Sequence, residues 1–251
     1  MGPFRPAVAA IVVLALGSTP LAGVARTTDR QTRTVVLPPG RTLAVDITIG
    51  TVRIEGSSRT DAEIAIERQA PSADAMGRLP VQIDETDTRV HITALQADGA
   101  TDPALRTEVV LRVPRDGVID AVHVLEGRVD VSQFQGRLTA DVRRGPIDGH
   151  DVAGILRLET GIGSVALERA RLSPGGLLRL RAFNGDVRLA LAERPSDARI
   201  LALALNGHIR SDIPLTVRDT WGPRWSETTL GRGEPVISLD VVTGAIEIRS
   251  P

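Results

Sequence analysis

Residues 127–189 read GRVDVSQFQGRLTADVRRGPIDGHDVAGILRLETGIGSVALERARLSPGGLLRLRAFNGDVRL, and this stretch decides the fold. One short phrase recurs in it: a glycine, then an aliphatic residue at the second and fourth positions after it. It is GRVDV at Gly127, GILRL at Gly154, GSVAL at Gly163, GLLRL at Gly176 and GDVRL at Gly185, with looser versions at Gly136 and Gly145. Period-two alternation over four or five residues is the signature of a strand with one buried face, and the leading glycine marks a bend. The pairs Val129/Val131, Val165/Leu167, Leu178/Leu180 and Val187/Leu189 are therefore expected to point inward.

The glycines form two interleaved series. Gly127, Gly145, Gly163, Gly185 and Gly207 are spaced by 18, 18, 22 and 22, and Gly136, Gly154 and Gly176 by 18 and 22. One coil of that length with two strand-forming phrases accounts for both series, each coil stacking on the next because none can bury its apolar face alone. The expected fold is all-β: a right-handed β-helix or β-solenoid-like stack of short strands with Gly-rich turns. A sandwich of hairpins is the rival, but it calls for two-residue turns that these phrases lack. Asn184-Gly185 and Asn206-Gly207 fit stacked corners of adjacent coils.

Outward from this stretch, the pattern weakens without vanishing. Residues 1–25 read as a signal peptide, with Arg5, an apolar run AVAAIVVLAL at 7–16 and small residues at 23 and 25; a retained N-terminal anchor is the alternative. That run is short for a membrane span. Residues 26–33 read as a tether, and 34–251 as one β-strand-repeat domain that begins with alternation around Leu43–Ile49 and GTVRI at Gly50. Residues 69–80 and 96–104 lose periodicity, and residues 214–234, which hold both tryptophans, interrupt the repeat.

Composition excludes several chemistries. With no Cys there is no disulfide, thiol nucleophile or thiolate metal site, and all 30 basic residues are Arg, so no lysine chemistry exists. Net charge of −1 gives no reason to expect nucleic acid as a partner. Aromatic residues are 2%, so the core must be built from small aliphatic side chains.

At this point the chain resembles the bacterial putative adhesin family of β-strand repeats, a domain of unknown function. The segments that carry the resemblance are LRVPRDGVIDAVHVLEGRVDV at 111–131, GIGSVALERA at 161–170, NGDVRL at 184–189, NGHIRSDIPL at 206–215 and GEPVISLDVVTGAIEI at 233–248. The resemblance implies an exported, β-helical protein of the cell envelope, periplasmic or secreted, and brings no catalytic residues and no cofactor.

Candidate site residues follow from the surface pattern. Trp221 and Trp225 either close the open end of the stack or contact a partner. Arg157 and Arg179 share one column, Arg188 and Arg210 another, and stacked like charges need counterions, solvent or an anionic partner, such as a glycan or lipid head group. An envelope protein is the other partner considered. Asp130 and Asp148, 18 apart, are the pair that a glycan hydrolase or lyase, or a bound cation, would use; the ordinary reading is two solvated acids neutralised by arginine. His91, His123, His150 and His208 show no metal-ligand spacing. The expectation is a non-catalytic scaffold or adhesion-type module without metal or cofactor.

Overall fold

The computed structural model describes residues 26–99, 101–218 and 224–251. They form β1 (Thr27–Val36), β2 (Thr42–Ser57), β3 (Asp61–Ala70), β4 (Gln82–Glu85), β5 (Arg89–Ala94), β6 (Arg106–Pro114), β7 (Val118–Ser132), β8 (Arg137–Arg144) and β9 (Ile147–His150). Then come β10 (Ile155–Ile162), β11 (Val165–Ala170), β12 (Leu177–Asn184), β13 (Val187–Leu191), β14 (Ala198–Ser211), β15 (Thr216–Arg218), β16 (Arg224–Leu230) and β17 (Val236–Arg249). A four-residue helix α1 (Ala73–Met76), capped by the Ser72 side chain, and a 3-10 turn at Ala97–Gly99 occupy the two unpatterned segments.

Two parallel ladders run through the molecule. In the first, the N-terminal half of β7 pairs with β8, β8 with β10, β10 with β12, and β12 with the N-terminal half of β17. In the second, the C-terminal half of β7 pairs with β9, β9 with β11, β11 with β13, and β13 with the C-terminal half of β17. Because β7 and β17 each belong to both ladders, the hydrogen bonding closes into a barrel of eight parallel strands, with nine further strands around it.

This corrects the expected right-handed β-helix or β-solenoid stack. The 18-residue register is present, as in Ile155 beside Arg137, but the stack is neither open nor sequential. β17 lies between β13 and β14, so the coil at Gly207 meets Gly244 and never the coil at Gly185. Asn184 and Asn206 are accordingly held apart by Thr243, which pairs with both. At the other end β2 lies between β7 and the pair β5 and β6 in the same way. Residue spacing reports coil length; it carries no information on which coil a strand from elsewhere in the chain will join.

Two more local expectations change. Residues 27–36, most of them inside the stretch read as a tether, form β1 and pair antiparallel with β3 along their whole length. Residues 224–230, inside the stretch read as an interruption, form β16, antiparallel to β14 and continued by β15. The signal peptide expected over 1–25 lies outside the described residues.

The bend between the ladders is a column of glycines. A Cβ on Gly127 would stand 1.7 Å from the Gly50 carbonyl oxygen, and one on Gly145 1.6 Å from that of Gly127. Both have φ near the extended edge of the positive region, +148° and +138°, where side chains are strained even without the clash. The corner is thus tight because each backbone bends directly over the next. Inside it, Val129, Val131, Val165, Leu167, Leu178, Leu180, Val187 and Leu189 are all buried, as alternation demands. Phe134 is the largest buried side chain of a core otherwise made of Val, Leu, Ile and Ala.

A candidate binding face

Since inward positions alternate with outward ones, each ladder presents an outer grid whose rows can be read from the registers. On the first ladder one row runs Arg157, Arg179, Ser238, Leu201, Glu227. The next runs Glu159, Arg181, Asp240, Leu203, Trp225. β14 therefore places Leu201, Leu203 and Leu205 on the side away from the core, while Ile200, Ala202 and Ala204 fill the inner side. A strand that is apolar on both faces is a strand whose two faces are meant to be covered. Leu205 is 43% exposed, Trp225 39% and Phe183 39%, and the Arg181 guanidinium lies 4.7 Å from the centre of the Phe183 ring.

The tentative binding residues separate into two groups. Arg157 and Arg179 are direct cross-strand neighbours on this face, exposed, and without a hydrogen bond or ion pair among the described residues. Trp225 stands on the same face, beside Leu203. It does not plug the end of the core; the buried neighbour on its strand is Ser226. Trp221 lies outside the described residues.

Arg188 and Arg210 belong to the other face. They are not stacked on each other: Glu247 of β17 lies between them in register. The column expected to need an anionic partner carries its own acid, again because β17 is inserted. Arg188 also pairs with Asp186 at 2.9 Å, and Glu247 with Arg249 at 2.7 Å.

Asp130 and Asp148 are direct neighbours, on β7 and β9, in a cleft shared with Arg53, Ser132, His150 and Glu168. Burial pushes the Asp130 carboxyl up, the neighbouring Asp148 charge adds to this, and Arg128 and Arg53 oppose it. The Arg128 guanidinium is 3.7 Å from Asp130 and 3.6 Å from Asp148, so one cation bridges both acids. Among the described residues no group of three or more His, Cys, Asp or Glu is arranged to hold a metal ion.

One cluster has no counterpart in the sequence reading. Asp46 of β2 meets His91 Nε2 at 2.5 Å and His123 Nδ1 at 2.6 Å, one histidine on each carboxylate oxygen. Burial acts to raise the Asp46 carboxyl, but the hydrogen bonds and charges of His123 and His91 outweigh it and the net shift is downward. The three residues are 45 and 77 positions apart, so no local motif announces them.

No family model matches the chain, and no curated protein matches it. Among solved structures, one from Clostridium sporogenes described as a putative cell adhesion protein aligns with 90% of this chain and 100% of its own, at 12% identity and a TM-score of 0.52. A putative adhesin from Bacteroides fragilis aligns with 88% of this chain and 97% of its own, at 12% identity and a TM-score of 0.34. At these identities the first likeness speaks to fold alone and the second carries no argument. The chain is similar, over most of its length, to structures described as adhesion proteins. Among the described residues no helix is long and apolar enough to cross a membrane.

Proposed function

We propose that the protein is a non-catalytic, adhesion-type binding module exported to the cell envelope, and that it engages its partner through the outer face of the first ladder. The observation that carries this reading is β14, whose outward Leu201, Leu203 and Leu205 stand beside Trp225, with two unpaired arginines on the same face beyond β17. Aromatic and arginine side chains dominate binding hot spots when an apolar surface surrounds them. The likeness to structures described as adhesion proteins supports the same class, as does the apolar N-terminal run for export.

The hydrolase or lyase reading fares less well. Its two acids are bridged by the Arg128 guanidinium, an arrangement that fits a neutralised pair better than a catalytic one. The test is sedimentation of the purified chain with isolated cell envelopes, with Trp225→Ala and Leu203→Asn alongside. Wild type is expected in the pellet and both variants in the supernatant, each with an unchanged melting curve. Equal sedimentation of all three would remove this face from the function.

A further inference from the structure

We propose that the partner of this face is an anionic phospholipid bilayer, with Trp225, Leu203, Leu205 and Phe183 entering the interface and Arg157 and Arg179 meeting lipid phosphate. This rests on the reading of the face as the binding surface and names what covers it.

Shape is the first argument. The six side chains project from β10 and β12 on one side of β17 and from β14 and β16 on the other, in strands spaced about 4.8 Å apart, and none lines the main clefts of the molecule. A face without a cleft offers a peptide or a sugar chain no groove, whereas a broad surface needs none. Layering is the second. Aliphatic and aromatic side chains stand beside long cationic ones that can reach sideways to phosphate, and an interface is where Trp and Arg find both environments.

Charge is the third. Arg157 and Arg179 have no hydrogen bond or ion pair among the described residues, and Glu159, two positions from Arg157 on the same face, lies 3.8 Å from Arg181 instead. Glu227 has a partner, and Asp240 lies across from Arg181 with Ser238 Oγ at 3.4 Å. A second copy of this face would bring the same engaged acids and the same free arginines, so burying two copies against each other leaves cations unpaired. Lipid phosphate supplies the missing anions at any spacing, and each arginine near an anionic leaflet contributes about a fivefold gain in partitioning.

The experiment uses the full chain carrying Trp221→Phe, which leaves Trp225 as its one tryptophan. It is mixed with vesicles of phosphatidylcholine alone or with phosphatidylglycerol added, with brominated acyl chains as quencher. The expected result is a blue shift and quenching of Trp225 with the anionic vesicles only, weakened by added salt. Arg157→Gln/Arg179→Gln should lower partitioning about 30-fold, from about fivefold per arginine. Leu203→Asn/Leu205→Asn should abolish quenching. The apolar residues 7–16 are common to all variants, so any difference between variants arises elsewhere in the chain.

Unchanged Trp225 emission, or undiminished partitioning of the arginine variant, overturns the proposal. So does a dimer by light scattering that Leu203→Asn dissolves. If vesicles fail while envelopes still sediment wild type and not Leu203→Asn, lipid is the wrong partner and the binding face stands. If both fail, the reading of the face falls with it.

Discussion

The two outer faces of the barrel are built on the same backbone and treated in opposite ways. Along the second ladder one row runs Arg53, Asp130, Asp148, Ala166, Arg188, Glu247, Arg210, and most of its charges have an opposite charge next to them. Along the first, arginine meets arginine at Arg157 and Arg179, and leucine and tryptophan stand where a solvated strand carries polar residues. The inner halves of both ladders are built alike, of aliphatic side chains, with Thr160 a buried polar exception on the first. Fold is therefore specified by the residues the faces share, and any binding role by those in which they differ.

The harshest way to break that comparison is to destroy what both faces depend on. Gly145→Ala forces a Cβ into the Gly127 carbonyl, and we expect a loss of about 4 kcal/mol or more, the range reserved for core damage. Urea unfolding monitored by circular dichroism reads it, and both faces should be lost together. Next, Leu180→Asp and Leu203→Asn separate inside from outside on β12 and β14 of the first ladder. The buried aspartate should cost several kcal/mol, while the outer asparagine should stay within about 1 kcal/mol. Melting temperatures in parallel give the answer, and equal losses would mean that the leucines of β14 serve packing.

A smaller effect concerns pH. The Asp46 carboxyl is held below its ordinary value in the folded state, so its stabilisation is complete above the unfolded carboxylate range and is lost as pH falls through the lowered value. Asp46→Asn should flatten the acid limb of a stability–pH profile. Asp130 has the opposite sign: its raised carboxyl favours the folded state at acid pH and weighs against it as pH rises. Asp130→Asn should steepen the acid loss that Asp46→Asn flattens, measured by melts from acid to neutral pH.

The smallest effect sharpens the contrast most. Glu247→Gln should cost under about 1 kcal/mol, as exposed pairs do, yet it leaves Arg188 and Arg210 without the acid between them. The second face then acquires a cationic column like that of the first, but no leucines. It should gain only salt-sensitive association with anionic vesicles, with no change at Trp225.

Much of this was legible in the sequence, residue by residue. The pairs from Val129/Val131 to Val187/Leu189 announced their burial through period two, and the 18-residue glycine interval announced the in-register neighbours. The run ILALAL at 200–205 was a readable sign of a strand apolar on both faces, because strict alternation fails there. Strand order at the ends was not readable. Paired residues of β13 and β17 lie 59 positions apart in the chain, as Val187 and Ile246 do, and nothing in GAIEI distinguishes a strand that follows β14 from one that enters before it. Arg188 and Arg210 were misjudged as a stacked pair for that reason. The Asp46 cluster was hidden likewise, since hydrogen-bond partners from three distant strands leave no spacing to find.

The position of β17 also sets a timetable. Synthesis delivers residues 236–249 after β12, β13 and β14, yet they form the layer between β12 and β14 on one ladder and between β13 and β14 on the other. Until they arrive, β12 and β13 expose unpaired parallel edges, and the coil of β14 has nothing to lie on. A newly made chain thus cannot close its barrel until β17 has been made.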